Sequence, residues 1–347
     1  MWLNNIVEIG LGIVIMIGLG YERGKIIVWG TIISGIISIE GGNIMEGIIY
    51  IIGGICMKGI KGIGIIGGLS IIGTIMMIKG ESWIMVYLGL EIQSLAYYVI
   101  AAWEKRSGLK YYVMGGVASG MIIMGIAGIY KETGRIEGGG ILMLIGLTIK
   151  LGVLPVWIAD VYTGAPIWGA RMLSVLGGIG PLTIIARIGM EGAIGKLSIL
   201  AWIIGTVGMM YTRRAERFMA YSGIGHVGWM YMGVIGRDWE IYIIIYMIMT
   251  WTVWTIMERE GIRRIEEARG MNIMMISMIG LPPLLGFIGK MNVIVGSIGM
   301  REIAIVGLIA GVIGAYNYIR WMNEKGMKRG DRWIAIGTIL QIWWIWI

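Results

Sequence analysis

The feature that most constrains this chain is the alternation of long apolar runs with short charged connections along nearly its whole length. An apolar run of about 20 residues is long enough to cross a bilayer as a helix. Lipid offers the backbone no hydrogen-bond partners, so such runs must satisfy their own N–H and C=O groups. Hydrophobic residues make up 57% of the chain and charged residues only 14%, whereas soluble domains carry far more charge. The sequence therefore predicts an all-α polytopic membrane protein, with residues 1–347 forming a single membrane domain.

The apolar runs predict about fourteen transmembrane helices, at residues 2–20, 26–39, 44–57, 62–78, 83–103, 109–130, 139–159, 166–189, 194–212, 218–236, 240–257, 271–298, 302–321 and 332–347. Nineteen lysine and arginine residues lie in connections after odd-numbered spans, against six after even-numbered spans. The positive-inside rule places the richer side in the cytoplasm or matrix, with both termini on the opposite side. A miscount in mid-chain would mix the two sets, so the asymmetry supports this assignment of spans.

Glu91, Lys150 and Lys290 are ionisable side chains that lie deep within predicted spans, where a charge is costly. Glu91 lies in the fifth span, Lys150 in the seventh and Lys290 in the twelfth. A charged side chain at the centre of a bilayer costs roughly 2.5–3.5 kcal/mol in insertion assays, and such residues commonly mark ion or proton paths. From the residues alone a structural role stays open, in which each lysine pairs with a carboxylate to join two helices.

A proline accompanies each of the two buried lysines. Pro155 follows Lys150, and Pro282 precedes Lys290. Proline removes a backbone donor, so it predicts interrupted helices at these two spans, with simple kinks as the alternative. The two spans are five apart, an odd number, so two such units would be inserted in opposite orientations. Inverted repeats with broken helices are typical of transporters that bind ions near the midplane.

Composition disfavours several other kinds of site. The net charge of +8 comes from cations in short connections, which argues against a nucleic-acid partner. The chain has one cysteine, Cys56, and one histidine, His226, so we expect no disulfide, no metal site and no bound cofactor or redox centre. Arg171 and Arg187 fall near the two ends of the eighth span, and we interpret both as reaching toward the interface.

Five stretches occur in an order that is specific to one family. They are YLGLEIQSLAYYVIAAWEKRSGLKYYVMGGVASGMIIMGIAGIY at 87–130, Ile149-Lys150 through to WIADVYTGAP at 157–166, AYSGIGHVGWM at 220–230, LPPLLGFIGKMNVIVG at 281–296, and GAYNYIRW at 314–321. Together they resemble the antiporter-like membrane subunits of respiratory complex I, the proton-pumping NADH:ubiquinone oxidoreductase. The LEIQSL form around Glu91 is similar to the branch called chain 2 or subunit N. The first 80 residues match only in hydropathy and helix count.

The resemblance implies a fold of fourteen helices that contains two inverted five-helix repeats. The repeats would comprise spans four to eight and nine to thirteen, with helices seven and twelve broken. In this chain they correspond to residues 62–189 and 194–321, preceded by N-terminal helices at 1–61 and followed by a C-terminal helix at 332–347. The spans assigned from hydropathy agree with this arrangement.

The resemblance also implies a proton path, carried by Glu91, Lys150, Lys290 and His226. His226 lies in a glycine-rich helix, and a packing histidine is the alternative for this residue. Asp160, Tyr162 and Pro166 match the family's loop after the seventh span.

One position departs from the family pattern. The family usually carries a lysine in the eighth span, but here the segment 174–178 reads Ser-Val-Leu-Gly-Gly, which places Gly178 at that position. Arg187, nine residues further on, matches a family arginine and confirms the register. The polar axis between Lys150 and Lys290 is therefore expected to be interrupted, with water or His226 as the bridge. A subunit that pumps poorly or serves only as a scaffold is the alternative.

The implied function is proton translocation through buried Glu and Lys residues, driven by quinone reduction elsewhere in the complex. The chain would then be a subunit of an enzyme, while other subunits bind NADH, FMN, iron–sulfur clusters and ubiquinone. Its partners would be the other membrane-arm subunits, including the other antiporter-like chains, and membrane lipids. The skewed composition, with 16 Trp against 2 Phe, favours the mitochondrial inner membrane over a bacterial plasma membrane. An Mrp-type cation/proton antiporter is the competing function.

Overall fold

A computed structural model describes residues 24–57, 64–131, 139–265 and 271–323. Across these ranges the chain forms α-helices and one short 3₁₀ helix, with no β-strand beyond an isolated bridge between Arg214 and Arg264. In chain order the helices are α1 Gly24–Glu40, α2 Ile44–Met57, α3 Gly64–Lys79, α4 Trp83–Ala101, α5 Lys105–Lys131, α6 Gly139–Lys150, α7 Ile158–Gly164, α8 Ile167–Leu176, α9 Ile179–Ile188, α10 Glu191–Tyr211, α11 Ala215–Gly236, α12 Trp239–Glu260, α13 Asn272–Ile279, α14 Leu285–Gly296 and α15 Arg301–Asn323.

These helices confirm the all-α class and reproduce the second to thirteenth predicted spans. The first and last predicted spans, 2–20 and 332–347, lie outside the described residues. Among the described segments, six are long and apolar enough to cross a membrane by length and composition, and several shorter helices are also apolar. The protein is therefore membrane-spanning. The relation of the two five-helix units by inversion remains a prediction.

The seventh span is broken, as its lysine and proline predict. Helix α6 ends at Lys150, and α7 begins only at Ile158, with Pro155 in the gap. Gly152 turns the chain there with a φ of +75°, and a Cβ at this residue would lie 2.6 Å from the Cδ1 of Ile158. Only glycine therefore fits this turn without strain. The indole N–H of Trp157 donates to the carbonyl of Ile149 across 2.9 Å, and the N–H of Gly152 donates to the same carbonyl across 3.0 Å, so this acceptor is satisfied at the break.

The twelfth span is broken in the same way. Helix α13 ends at Ile279 and α14 begins at Leu285. Gly280 ends the first half with a φ of +87°, and Pro282 and Pro283 occupy the connection, where neither can donate a backbone hydrogen bond. Both interruptions that the sequence predicts are thus present.

A third, milder interruption divides the eighth span and was not predicted. Helix α8 ends at Leu176 and α9 begins at Ile179, although Gly177 and Gly178 between them keep nearly helical backbone angles. Pro181 explains the break, because it lacks the N–H that would bond to the carbonyl of Gly177. The helix axis continues, but one turn loses its regular hydrogen bonding.

Helix α11 lies at the centre of the packing. It contacts α10 most closely and also packs against α7, α12, α14 and α15. Most of its side chains are buried, including Phe218, His226 and Tyr231. The consecutive pairs α3–α4 and α5–α6 also pack closely and enclose the buried charges of the first half. The fold therefore surrounds the single histidine with other helices rather than exposing it to lipid.

Candidate functional site

The buried lysine of the seventh span meets the partly exposed glutamate of the fifth. The Nζ of Lys150 lies 3.4 Å from the Oε1 of Glu91 and donates to the Oγ of Ser94 across 2.7 Å. The amine also lies 5.9 Å from the centroid of the Tyr98 ring. Glu91, Ser94 and Tyr98 are spaced three and four residues apart on α4, which places them on one helix face. One face of α4 thus supplies every polar contact recorded for this amine.

The carboxylate is held from a second helix as well. Ser119 on α5 donates to the same Oε1 of Glu91 across 2.5 Å. The side chain of Glu91 is 28% exposed, whereas that of Lys150 is 5% exposed. The carboxylate is therefore partly accessible, while the amine is enclosed by protein contacts.

Lys290 is held differently. Its Nζ donates to the backbone carbonyls of Met278 and Ile279, at 2.9 and 2.7 Å, and lies 5.3 Å from the centroid of a Trp229 ring. These carbonyls belong to the last turn of α13, where the break leaves them without helical donors. The negative end of the helix dipole also favours a cation there. Within the described ranges no carboxylate lies within ion-pair distance of Lys290.

His226 lies between two tyrosine hydroxyls. Its Nδ1 is 2.8 Å from the hydroxyl of Tyr242 and its Nε2 is 3.4 Å from that of Tyr318. The Tyr318 hydroxyl also shares a hydrogen bond of 2.5 Å with Ser222. The imidazole is 2% exposed, and both of its nitrogens have a hydroxyl partner. This network satisfies a packing histidine and can equally pass a proton between hydroxyl groups.

A small cavity of about 30 Å³ joins the histidine to the second lysine. His226 and Lys290 both line it, together with Tyr318 and Ser222. The rest of its wall is mainly apolar, but these four side chains place polar groups on it, and a cavity of this size can hold a water molecule. The two groups therefore line the same space, and no direct hydrogen bond between them is recorded.

A second cavity, of about 50 Å³, lies beside the first lysine. Lys150, Gly178, Gly223 and Tyr246 line it. A Cβ built on Gly178 would contact only the Cδ2 of Leu151, at 3.5 Å. The cavity is therefore open at Gly178 because glycine has no side chain to fill it. The cavity thus occupies the position where the resemblance leads us to expect a lysine.

The structure brings the four predicted residues together as two pairs. Glu91 contacts Lys150, and His226 shares a cavity with Lys290. Among the described residues no recorded hydrogen bond joins the two pairs. Tyr246 bridges them in space, because it lines the cavity beside Lys150 and its ring centroid is 5.1 Å from that of His226.

Sequence reasoning missed several polar partners, namely Ser94, Ser119, Tyr242, Tyr246 and Tyr318. Ser94 follows Glu91 by three residues, so helical spacing could have identified it. The others come from separate helices, and no local pattern signals them.

Arg171 does not reach the interface, contrary to the sequence interpretation. It is 6% exposed, forms an ion pair with Glu258 on α12 and donates to the carbonyl of Cys56 across 3.2 Å. The arginine therefore joins α8 to α12 and to the end of α2. Arg187 does lie at the end of its span, where it donates to the carbonyls of Gly80, at 2.6 Å, and Ile78.

The three residues that match the family's loop after the seventh span lie in different surroundings: Asp160 and Tyr162 are on α7, and Pro166 follows it. Asp160 is partly exposed and pairs with Lys110 and Arg217. Tyr162 is buried against Trp254, and Pro166 precedes α8. Over the residues that the structure describes, no group of three or more His, Cys, Asp and Glu side chains is arranged to hold a metal ion.

Comparison with known proteins identifies the family. The family model described as NADH:quinone oxidoreductase/Mrp antiporter, TM, matches residues 80–315. NADH-quinone oxidoreductase subunit N of Rhodospirillum rubrum is 33% identical over 311 residues, covering 72% of this chain and 64% of that protein. Subunit N 1 of Rhizobium meliloti is 32% identical over 322 residues, covering 74% and 67%. The chain thus spans about two thirds of the length of these curated relatives.

Solved structures share the fold. A chain of respiratory complex I from Thermus thermophilus with bound aureothin superposes with a TM-score of 0.82 at 18% identity, covering 97% of this chain and 94% of that one. A chain of the Mrp complex from Dietzia sp. DQ12-45-1b gives 0.81 at 14% identity, covering 95% and 82%. Residues 80–315, which the family model matches, contain the broken seventh and twelfth spans and also Glu91, Lys150, His226 and Lys290. The chain belongs to the NADH:quinone oxidoreductase/Mrp antiporter family of transmembrane proteins.

Proposed function

We propose that this chain is an antiporter-like, proton-translocating subunit in the membrane arm of an NADH:quinone oxidoreductase. The observation that carries the proposal is the contact between Glu91 and Lys150, at 3.4 Å, beside a broken helix. A buried lysine that faces a partly exposed carboxylate is a titratable pair within the membrane, and such pairs commonly serve ion or proton paths. The subunit N relatives support the assignment to that complex rather than to an Mrp antiporter.

The first step would be a change in the distance between Glu91 and Lys150. Burial disfavours the charged amine, and the nearby carboxylate favours it. The amine donates a hydrogen bond of 2.7 Å to Ser94, and this contact would hold the lysine in position if the carboxylate moved. Separation of the pair therefore promotes release of a proton from Lys150, and approach promotes its uptake.

The second step would carry the proton past Gly178. The cavity of about 50 Å³ adjoins both Lys150 and Tyr246, and water in it would replace the side chain that the family usually supplies. The Tyr246 ring lies close to His226, whose nitrogens face two further hydroxyls. Hydroxyl groups both donate and accept, so this chain of groups can relay a proton.

The third step would pass the proton to Lys290. The carbonyls of Met278 and Ile279 accept hydrogen bonds from its amine and so favour the protonated form without a carboxylate. Movement of α13 relative to α14 would remove these acceptors. The second lysine would then be controlled by its broken helix, and the first by its glutamate.

We further infer that the chain forms one membrane domain with inverted repeats at 62–189 and 194–321. Its partners would be the other membrane-arm subunits, and NADH, FMN, iron–sulfur clusters and ubiquinone would be bound elsewhere in the complex. The mitochondrial inner membrane is the proposed location on the grounds of composition. The bacterial subunit N relatives keep a bacterial plasma membrane as the alternative.

A non-pumping scaffold is the second candidate function, and Gly178 is the observation that favours it. If the cavity beside Gly178 did not conduct protons, Lys150 and Lys290 would be separate structural groups.

The first test extracts membranes gently, resolves native complexes and locates this chain by mass spectrometry. Migration in a large assembly that oxidises NADH supports the proposed complex, while migration with a few small antiporter subunits contradicts it.

The second test compares Lys150→Met with Lys196→Met, an exposed lysine on α10, in reconstituted vesicles. We expect NADH-driven proton transport to fall only in the former, and equal transport in the two variants supports the scaffold.

A further inference from the structure

A large polar pocket lies outside the proposed proton path. It has a volume of about 590 Å³ and lies where α5 and α11 begin and α7 ends. All three of these helix ends belong to the side that the positive-inside rule assigns to the cytoplasm or matrix. Nothing in the proposed proton path uses this pocket.

The pocket carries excess positive charge. Its charged lining consists of four cations and two carboxylates: Arg106, Lys110, Arg214, Arg217, Glu104 and Asp160. Lys110 and Arg217 both pair with Asp160, the latter at 3.3 Å. Arg106 is exposed on the first turn of α5, where the helix dipole adds further positive potential. The pocket therefore favours an anion, and guanidinium groups suit phosphate because they donate two parallel hydrogen bonds.

Exposed aromatic side chains place the pocket at the depth of lipid headgroups. Trp103, just before α5, is 74% exposed, and Tyr211, at the end of α10, is 85% exposed. Trp and Tyr concentrate at membrane–water interfaces because their rings are amphipathic. Basic pockets between helices on this side of a membrane are a recognised form of headgroup site.

An exposed apolar stripe runs from the pocket along α5 into the membrane. Val113, Val117 and Met124 follow Lys110 at helical spacing and are 52%, 52% and 64% exposed. The stripe thus lies on the face of α5 that also carries Arg106 and Lys110. A ligand with an anionic head and a long apolar tail matches both features, whereas free phosphate matches only the pocket.

We propose that this pocket binds the phosphate headgroup of an anionic phospholipid, with one acyl chain lying along Val113, Val117 and Met124. Arg106 and Arg214 line the pocket and would contact the headgroup, while Lys110 and Arg217 stay paired with Asp160. The Nε of Arg214 lies 3.8 Å from the Oε2 of Glu216, so Arg214 would contact the phosphate through its terminal N–H groups. The lipid would connect the beginnings of α5 and α11.

The test uses the intact membrane assembly that contains this chain, placed in phosphatidylcholine nanodiscs. A small fraction of phosphatidylglycerol carries a photoactivatable diazirine in its acyl chain, and labelled peptides are mapped by mass spectrometry. We expect label on the 113–124 stripe, and about five-fold less label in Arg106→Gln, because one cation near a membrane surface contributes roughly that factor. Arg301→Gln is the matched control, since Arg301 is likewise exposed in the first turn of its helix but on the opposite side.

Competition identifies the source of the phosphate. Unlabelled phosphatidylglycerol should remove the label, and inorganic phosphate should not. Competition by inorganic phosphate would mean a free-anion site, and label unchanged in Arg106→Gln would refute the headgroup contact. Absence of label from the 113–124 stripe in the assembled wild type, with label on a neighbouring subunit instead, would show that lipid does not occupy this face. If Arg106→Gln fails to assemble, Arg106→Lys must retain the label, because it keeps the charge.

Discussion

The amine of Lys290 donates to the carbonyl of Ile279 across 2.7 Å, so the second buried lysine caps the half-helix that its own span leaves open. Lys150, in the corresponding break, instead faces Glu91, and the carbonyl of Ile149 there accepts from the indole of Trp157 and the N–H of Gly152. The two breaks look alike in sequence, yet one lysine has a carboxylate partner and the other has backbone carbonyls. The two lysines should therefore respond differently to substitution.

Lys290→Met is expected to lower stability as well as proton transport. Methionine cannot donate, so the carbonyls of Met278 and Ile279 lose their partner, at about 1–3 kcal/mol for each buried acceptor left unsatisfied. Lys290→Arg should restore the donors but not proton transport, because arginine does not release its proton in proteins. Thermal unfolding of the purified assembly and NADH-driven proton uptake in vesicles measure the two effects separately.

The outcome that contradicts this reading is proton uptake by Lys290→Arg at the wild-type rate. That result would make Lys290 a structural cap alone. Lys196→Arg, at an exposed position on α10, is the control for the exchange itself.

Glu91→Gln is expected to lower proton transport strongly while lowering stability only slightly, unlike Lys290→Met, which should lower both. Glutamine keeps the length of the side chain and an acceptor for Ser119, while Lys150 retains Ser94. We expect a loss of only about 1 kcal/mol in stability, because the pair is 3.4 Å apart and the carboxylate is 28% exposed. Proton transport should be largely lost, because the negative charge whose approach and withdrawal would change the protonation of Lys150 is gone.

Glu81→Gln provides the control, since Glu81 is exposed just before the same helix. Equal proton transport in Glu91→Gln and Glu81→Gln would remove Glu91 from the path.

The two broken helices could be predicted from the sequence because their cause is local. A lysine within an apolar run and a proline a few residues away signal an interrupted span without knowledge of the fold. The third interruption also has a local cause, because Pro181 lies within the apolar run of the eighth span and predicts a break there. Breaks in membrane helices can be predicted in this way because lipid requires the backbone hydrogen bonds to be made within each segment.

The contacts of the site could be predicted only in part. The family pattern indicates Glu91 and Lys150 from the sequence, but the carbonyl partners of Lys290 depend on how two half-helices fold against each other. The interfacial interpretation of Arg171 is wrong because hydropathy reports the position of this residue along the span and not the Glu258 that faces it from α12.

Arg171→Met is expected to destabilise the protein while leaving the proton path in place. Removing one partner of a buried ion pair leaves an uncompensated charge, here Glu258, at about 3 kcal/mol, the lower end of the usual range because this carboxylate is one third exposed. Transport per assembled molecule should match the wild type, because Arg171 has no recorded contact with the four proposed path residues. Thermal unfolding and proton uptake normalised to assembled protein test the two statements.

A variant with normal stability would show that the ion pair contributes little to the fold. Loss of transport in fully assembled Arg171→Met would place Arg171 on the path. The double variant Arg171→Met with Glu258→Gln should recover part of the stability, because it removes the unpaired charge as well.

Gly178→Leu is expected to block proton transport between the two halves of the site. The new side chain would extend into the cavity of about 50 Å³ that Lys150 and Tyr246 line, and so displace the water proposed to bridge them. Gly178 has a φ of −84°, which any residue adopts, and a Cβ there meets only Leu151 at 3.5 Å, so the backbone and the first side-chain carbon cost little. The remaining carbons must fit the cavity, and overpacking there is expected to lower stability by about 1–3 kcal/mol. Proton uptake and thermal unfolding of the same preparation provide the comparison.

Gly178→Ala adds only the Cβ that this site accommodates and should transport protons, which makes it the matched control. Gly116→Leu, at a position on α5 where a Cβ would meet no atom within 4 Å, controls for a leucine elsewhere in the membrane. Wild-type transport by Gly178→Leu would exclude the cavity as a conductor. Lys150 and Lys290 would then act without a connection through Tyr246, and the scaffold function would gain support.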